Sequence, residues 1–273
     1  MLALAGCTEV QVMKHKAFWL VLLFAALGVF SVHAEDAKYR ATKLLNKGWV
    51  KGRVTHTKPG LEVPKLEVNR DASSCGMESR KIQAVEISSD GGLQNAIVFL
   101  KEISAGKDFV LSANPPVLHQ THCDFQPHVQ LVPPMSSIKI TNDDKILHSV
   151  HAFWFPFGSK FVIYPNSVTY PAKTLFNIAM VAQRKESFQQ LGGPGIVKFI
   201  CEAGHYWMTA YVIVTPHPYF AKVDSHGNYT LEDVPPGKYT LVSWHEYFGT
   251  KEIEITVKQN QPVEANFAYS DEL

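Results

Sequence analysis

The eight residues Cys201-Glu202-Ala203-Gly204-His205-Tyr206-Trp207-Met208 constrain this chain more than any other stretch. The apolar run Gly195-Ile196-Val197-Lys198-Phe199-Ile200 reads as a strand ending at the cysteine, and Ala210-Tyr211-Val212-Ile213-Val214 starts another just after the methionine. A thiol, an imidazole and a thioether thus share one short loop between two strands. Any fold that carries this loop must hold it on a rigid β scaffold.

The rest of the chain supplies such a scaffold. Ser137-Ile138-Lys139-Ile140-Thr141-Asn142 alternates in period two, as does Glu252-Ile253-Glu254-Ile255-Thr256-Val257. Further short strands are expected at Trp49–Val54, Ala84–Ile87, Asn95–Leu100, Tyr229–Leu231, Tyr239–Val242 and Val263–Phe267. Turn signals rich in Gly, Pro, Asn and Asp separate them, such as Ser88–Gly92, Pro133-Pro134 and Ser225–Asn228. Strands at such spacing argue for an all-β fold of sandwiches. Three stretches read otherwise: a polar leader or short helix over 35–47, an irregular aromatic insertion over Trp154–Pro171, and a short helix within Thr174–Leu191.

Residues 1–34 read as a secretory signal peptide. Met13-Lys14-His15-Lys16 is a basic start, which makes Met13 the expected true initiator; Ala17–Phe30 is apolar, and Val32-His33-Ala34 is a cleavage box. The apolar run is short for a membrane span, so no span is expected in the mature chain, and export to the periplasm is. Cleavage there removes Lys14, Lys16 and Glu9 and leaves equal numbers of acidic and basic residues. No basic patch marks a nucleic-acid partner.

Cys75, Cys123 and Cys201 then remain, an odd number in an oxidising compartment. The economical arrangement pairs Cys75 with Cys123 and leaves Cys201 as a metal-held thiolate. The alternative, Cys201 paired with one of the others, leaves His205 and Met208 unexplained.

A thiolate, two imidazoles and a weak thioether form the ligand set of a mononuclear type 1-like copper site. Cys201, His205 and Met208 supply three of the four. Thiolate and thioether suit reduced copper and imidazole suits oxidised copper, so the set serves a one-electron couple. A thiolate-bridged pair of coppers needs a second cysteine here, and position 197 is Val. For the missing imidazole His148 is chosen, just past the Asp143-Asp144 turn. His151 faces the opposite side of an extended strand and is read as a packing or supporting histidine. His128 is read as structural, His119 and His122 as a weaker accessory pair, and Trp244-His245-Glu246 as a hydrogen-bond cluster between domains.

From Cys75 onward the chain resembles the cupredoxin-like periplasmic proteins labelled methylamine utilization protein. The matching runs include Gly91–Val98, Cys123–Val129, Asn142–His151, Phe176–Ala179, Cys201–Met208, His217-Pro218-Tyr219 and Val234–Glu246. The resemblance implies a cupredoxin Greek-key sandwich followed by a transthyretin-like or carboxypeptidase-regulatory-like sandwich. The expected bounds are 104–215 for the cupredoxin and 216–273 for the second domain. Residues 35–103 form a β segment that belongs either to the cupredoxin or to the second sandwich. Two positions depart from the family pattern. Ser149 stands where the family has an Asn that ties two copper loops, and three residues rather than two separate Cys201 from His205.

Three functions follow as expectations: an electron carrier serving a redox partner such as a cytochrome or a periplasmic oxidoreductase, a copper chaperone or store, or a scaffold module with a vestigial site. No enzyme activity is expected.

Overall fold

The computed structural model describes residues 39–58, 61–63, 65–76, 79–81, 83–157, 173–181 and 185–270. The signal peptide expected over 1–34 and most of the aromatic insertion lie outside them. Among the described residues the chain is almost wholly β, with one single-turn helix at Ala72–Cys75. No helix among them is long and apolar enough to cross a membrane.

Two sandwiches make up the structure. The inner one packs a four-stranded sheet against a five-stranded sheet. The first runs Lys185–Gln190, Ser137–Asn142, Val117–Thr121, Asp124–Gln126. The second runs Lys173–Met180, His148–Phe155, Gly195–Ile200, Thr209–Val214, Val129–Val132. Most neighbours are antiparallel. Ser137–Asn142 with Val117–Thr121 and Thr209–Val214 with Val129–Val132 are parallel, which requires crossovers between the sheets. The period-two strand behaves as its pattern demands: Ile138 and Ile140 are fully buried between the sheets with Leu118, Val150, Val197 and Phe199.

Gly195–Ile200 is buried along its whole length, and its continuous apolar run has a physical reason. Val197 and Phe199 enter the inner core, while Ile196 packs on the opposite face against Ile97, Tyr211, Ile213 and Trp244. A sheet covered on both faces needs no polar alternation. The cover is the second sandwich.

That second sandwich draws on both ends of the described chain. One of its sheets runs Phe220–Lys222, Ile97–Leu100, Gly237–His245, Gly249–Val257. The other places Gly48–His56 between Asn228–Val234 and the short strands Pro262–Glu264 and Phe267–Tyr269. Gly52 sits where a Cβ would lie 1.6 Å from the Ala265 carbonyl oxygen, so this crossing of strands admits only glycine.

Three local expectations are corrected. Ala84–Ile87 forms no strand and meets its neighbour only through the isolated bridge of Ile87 with Leu93. The stretch Thr174–Leu191 holds two strands, Lys173–Met180 and Lys185–Gln190, rather than a helix, because each pairs along its length with a strand of the inner sandwich. Within 35–47, Arg40–Ala41 pairs in parallel with Ala105–Gly106. Two further strands, Lys65–Glu67 and Ser79–Lys81, form a small hairpin that the sequence pattern did not mark.

Candidate metal centre

Cys201 leaves the sheet where Gly195–Ile200 ends, and His148 enters it beside that point, since His151 pairs with Ile200 in the antiparallel ladder. Asn142 shapes the approach to His148. Its side-chain amide donates to the carbonyls of Ile146 (2.9 Å) and Met180 (2.8 Å), and its oxygen accepts the Asp144 N–H (3.1 Å). Ser149 joins the two ligand loops: its hydroxyl oxygen accepts the Glu202 N–H at 2.6 Å, and its own N–H points to Cys201 Sγ at 3.4 Å. The serine thus performs the loop-tying expected of an asparagine.

The loop beyond Cys201 closes on itself. Gly204 adopts φ +99°, and a Cβ there would lie 2.4 Å from Arg70 Cδ. The Met208 N–H donates to the His205 carbonyl at 2.9 Å. Cys201, His205, Trp207 and Met208 are all buried, and Trp207 Nε1 donates to the Cys123 carbonyl at 2.9 Å.

Three donor atoms converge. His148 Nδ1 lies 3.1 Å from His205 Nδ1, and Cys201 Sγ lies 3.9 Å and 3.6 Å from those two nitrogens. The remote nitrogens face carboxylates: His148 Nε2 is 2.9 Å from Asp144 Oδ2, and His205 Nε2 is 3.0 Å from Asp71 Oδ2. An ionised carboxylate only accepts, so each Nε2 carries a proton and each Nδ1 is the nitrogen turned toward the other ring and the sulfur. A proton on Nδ1 hydrogen-bonded to the sulfur, or a metal cation among the three, satisfies such an arrangement. Donors around one first-row ion, at bond lengths of about 2.0–2.3 Å, stand roughly 3.3–3.7 Å apart. The observed spacings fit one ion.

The electrostatics agree. Burial opposes ionisation of Cys201, yet hydrogen bonds with His148, His205 and the Ser149 and Ala203 backbone outweigh it and bring the thiol down to about 5. Burial would lower His148, but Cys201 and Asp144 raise it above the ordinary histidine value. The pocket is therefore built for a thiolate beside positive charge.

Each expected site residue can now be placed. His148, Cys201 and His205 come together, and Met208 is fully buried in the hydrophobic core that also takes in Cys201. His151 points away: its Nδ1 is 3.0 Å from Glu202 Oε1 and its Nε2 3.1 Å from the Thr174 hydroxyl. Cys75 and Cys123 form a disulfide with Cα atoms 5.4 Å apart, and Cys201 is free. His119 and His122 are exposed beside Asp143 and Thr121 and join no donor cluster among the described residues. His128 holds the Thr209 carbonyl through Nδ1 (3.0 Å) and Glu246 through Nε2. That contact bridges the sandwiches, and the buried Tyr211 hydroxyl joins it. Asp71 and Asp144 were missed by sequence reasoning.

No family model and no curated protein matches this sequence. Several solved structures are similar in fold to part of it. One is a purple cupredoxin from Nitrosopumilus maritimus, at 16% identity over 37% of this chain and 99% of that one, with a TM-score of 0.27. Auracyanin from Roseiflexus castenholzii gives 14% identity over 38% and 100%, at 0.28. The reduced Cu(I) form of an amicyanin mutant gives 13% over 38% and 85%, at 0.28. These likenesses are distant and carry no weight for the candidate metal centre.

Proposed function

We propose that this chain is a periplasmic, cupredoxin-like mononuclear copper protein that carries one electron at a time between partner proteins. One observation carries the reading: two imidazoles that each face a carboxylate through Nε2, and a thiol, bring Nδ1, Nδ1 and Sγ to a single buried point. Copper, when bound, supplies the one-electron couple. Cys201 provides the thiolate, His148 and His205 the imidazoles, and Met208 the weak fourth donor. The surrounding strands fix these side chains before metal arrives, and their burial keeps water from the ion, so little has to rearrange on electron transfer. The outer sandwich is read as the carboxypeptidase-regulatory-like module implied by the resemblance. It acts as a rigid base for the copper domain, and the partner is a redox protein. Whether the pathway is methylamine oxidation is left to the partner's identity.

A visible absorption spectrum after copper(II) loading tests this. An intense thiolate-to-copper band that Cys201→Ala abolishes, with the β fold retained, is expected. Stoichiometric copper without reversible redox cycling would point to a copper chaperone or store. Wild-type protein that takes up no copper sinks the reading.

A second reading has one observation in its favour. Cys201, His205 and Asp71 stand in the order of a thiol nucleophile, its base and an orienting acid, and Cys201 borders an open depression beside Asn69, Arg70, Glu202 and Tyr206. Cys201 as a residue is nevertheless only 1% exposed. Rapid alkylation of Cys201 by iodoacetamide in the metal-free protein would favour the nucleophile; protection favours the ligand.

A further inference from the structure

Resting on the copper reading, we propose that Asp71 and Asp144 are the positioning residues of the metal centre, and that the Cys75–Cys123 disulfide couples the two carboxylates into one frame. Neither aspartate faces the metal point. Each instead holds the far nitrogen of one ligand imidazole, His205 for Asp71 and His148 for Asp144. A carboxylate in that position fixes the tautomer and ring orientation and makes the ligating nitrogen a stronger donor.

Each carboxylate is built into one half of the disulfide. Asp71 precedes the single-turn helix that ends at Cys75, and the Cys75 N–H donates to the Asp71 carbonyl at 2.8 Å. Asp144 accepts the N–H groups of His122 and Cys123, both at 2.8 Å, through its two oxygens. The same Oδ2 that takes the Cys123 N–H faces His148 Nε2. A continuous covalent and hydrogen-bonded path therefore runs from one imidazole to the other around the outside of the donor cluster.

Arg80 reinforces the path. Its buried guanidinium donates to the carbonyls of Cys75 (2.9 Å) and Cys123 (3.1 Å) and to that of His122, and it pairs with Asp124. The backbone is strained at the same places. Asp71, His122 and Cys123 all have positive φ (51°, 52° and 56°) without being glycine. Such conformations persist where surrounding contacts over-determine them, and they gather at functional sites.

The path also explains why the N-terminal hairpin region lies on the inner sandwich. Asp71 comes from a segment far ahead of the copper ligands, and the disulfide, Arg80 and the Tyr206 hydroxyl donating to the Glu67 carbonyl at 2.6 Å bind that segment to the ligand loop.

The test uses the full secreted chain and the variants Asp71→Asn and Asp144→Asn, each of which keeps size but removes charge. Competition with a chromophoric chelator should show copper(II) affinity falling about 10- to 100-fold in each. Copper(I) affinity should fall less, so that the reduction potential rises. A purely structural role would weaken both oxidation states alike and leave the potential in place.

A second readout needs no metal. Long-range 1H–15N spectra of the copper-free wild type should show the His205 and His148 rings with their protons on Nε2, and Asp71→Ala should relax that preference at His205 alone. The proposal is overturned if the wild-type rings carry a proton on Nδ1 and none on Nε2, or if the Asn variants keep wild-type affinity and potential. Because the ring protons are read without copper, failure of the proposal and failure of copper binding are separate results.

Discussion

Cys75→Ala/Cys123→Ala offers a magnitude that follows from topology. The two cysteines are 48 residues apart. In the chain-entropy model, opening a loop of that length frees about 14 cal/mol/K in the denatured chain, or roughly 4 kcal/mol at 25 °C. Arg80 and Asp144 hold the same backbone in the native state whether or not sulfur bridges it, so the change falls mainly on the denatured chain. Urea unfolding of copper-free protein, followed by tryptophan fluorescence, measures the loss. With a slope of about 2–3 kcal/mol per M, the midpoint should fall by roughly 1.3–2 M. Copper must be absent from both samples, because metal bound only to the native state adds stability of its own. A midpoint within about 0.5 M of wild type, at an unchanged slope, would refute the entropic account and show that the denatured chain holds this loop together without the bridge.

Three other outcomes are expected. Met208→Leu should keep the visible band and raise the reduction potential, because loss of the weak thioether disfavours copper(II); voltammetry reads it. His151→Ala should leave the spectrum close to wild type, since that ring contacts Glu202 and Thr174 and not the donor cluster; loss of copper binding in this variant would show the ligand choice to be wrong. Glu246→Gln leaves His128 buried without its charge partner and should cost about 3–5 kcal/mol in chemical denaturation. Burial works against both charges, but the pair raises His128 and lowers Glu246. Its stabilisation is therefore lost as pH rises above about 6.5 through the raised His128 value, and Glu246→Gln should abolish that dependence.

Much of the inner sandwich was legible because its strands state their own burial. Ile138 and Ile140 alternate with polar residues, and Gly195–Ile200 runs apolar because both of its faces are covered. The Cys201–Met208 loop was legible because soft donors are scarce and local. The strands over Lys173–Gln190 were not. Lys185, Glu186, Gln189 and Gln190 are good helix formers, and Lys173–Met180 is an edge strand with little buried surface; pairing with neighbours decides their state against propensity. Asp71 and Asp144 were illegible for a different reason. An aspartate in a turn looks like any other, and only the fold brings Asp71 to a histidine 134 residues away. The disulfide was reached by counting cysteines, whereas its link to both ligand imidazoles needed coordinates.

The outer sandwich has a consequence for how this protein is made. Its strand Gly48–His56 emerges early, yet its neighbour Asn228–Val234 comes near the end of the chain, and Arg53 reaches a carbonyl 173 residues later. The inner sandwich is complete by Val214. When the chain folds, the inner sandwich therefore has the shorter closures and can form first, while the early strand waits unpaired for Asn228–Val234. Such long-range closure is slow, and a waiting strand with open edges is open to mispairing with other chains. A chain truncated just after Val214 should thus bring His148, Cys201 and His205 together beside an unfolded N-terminal arm.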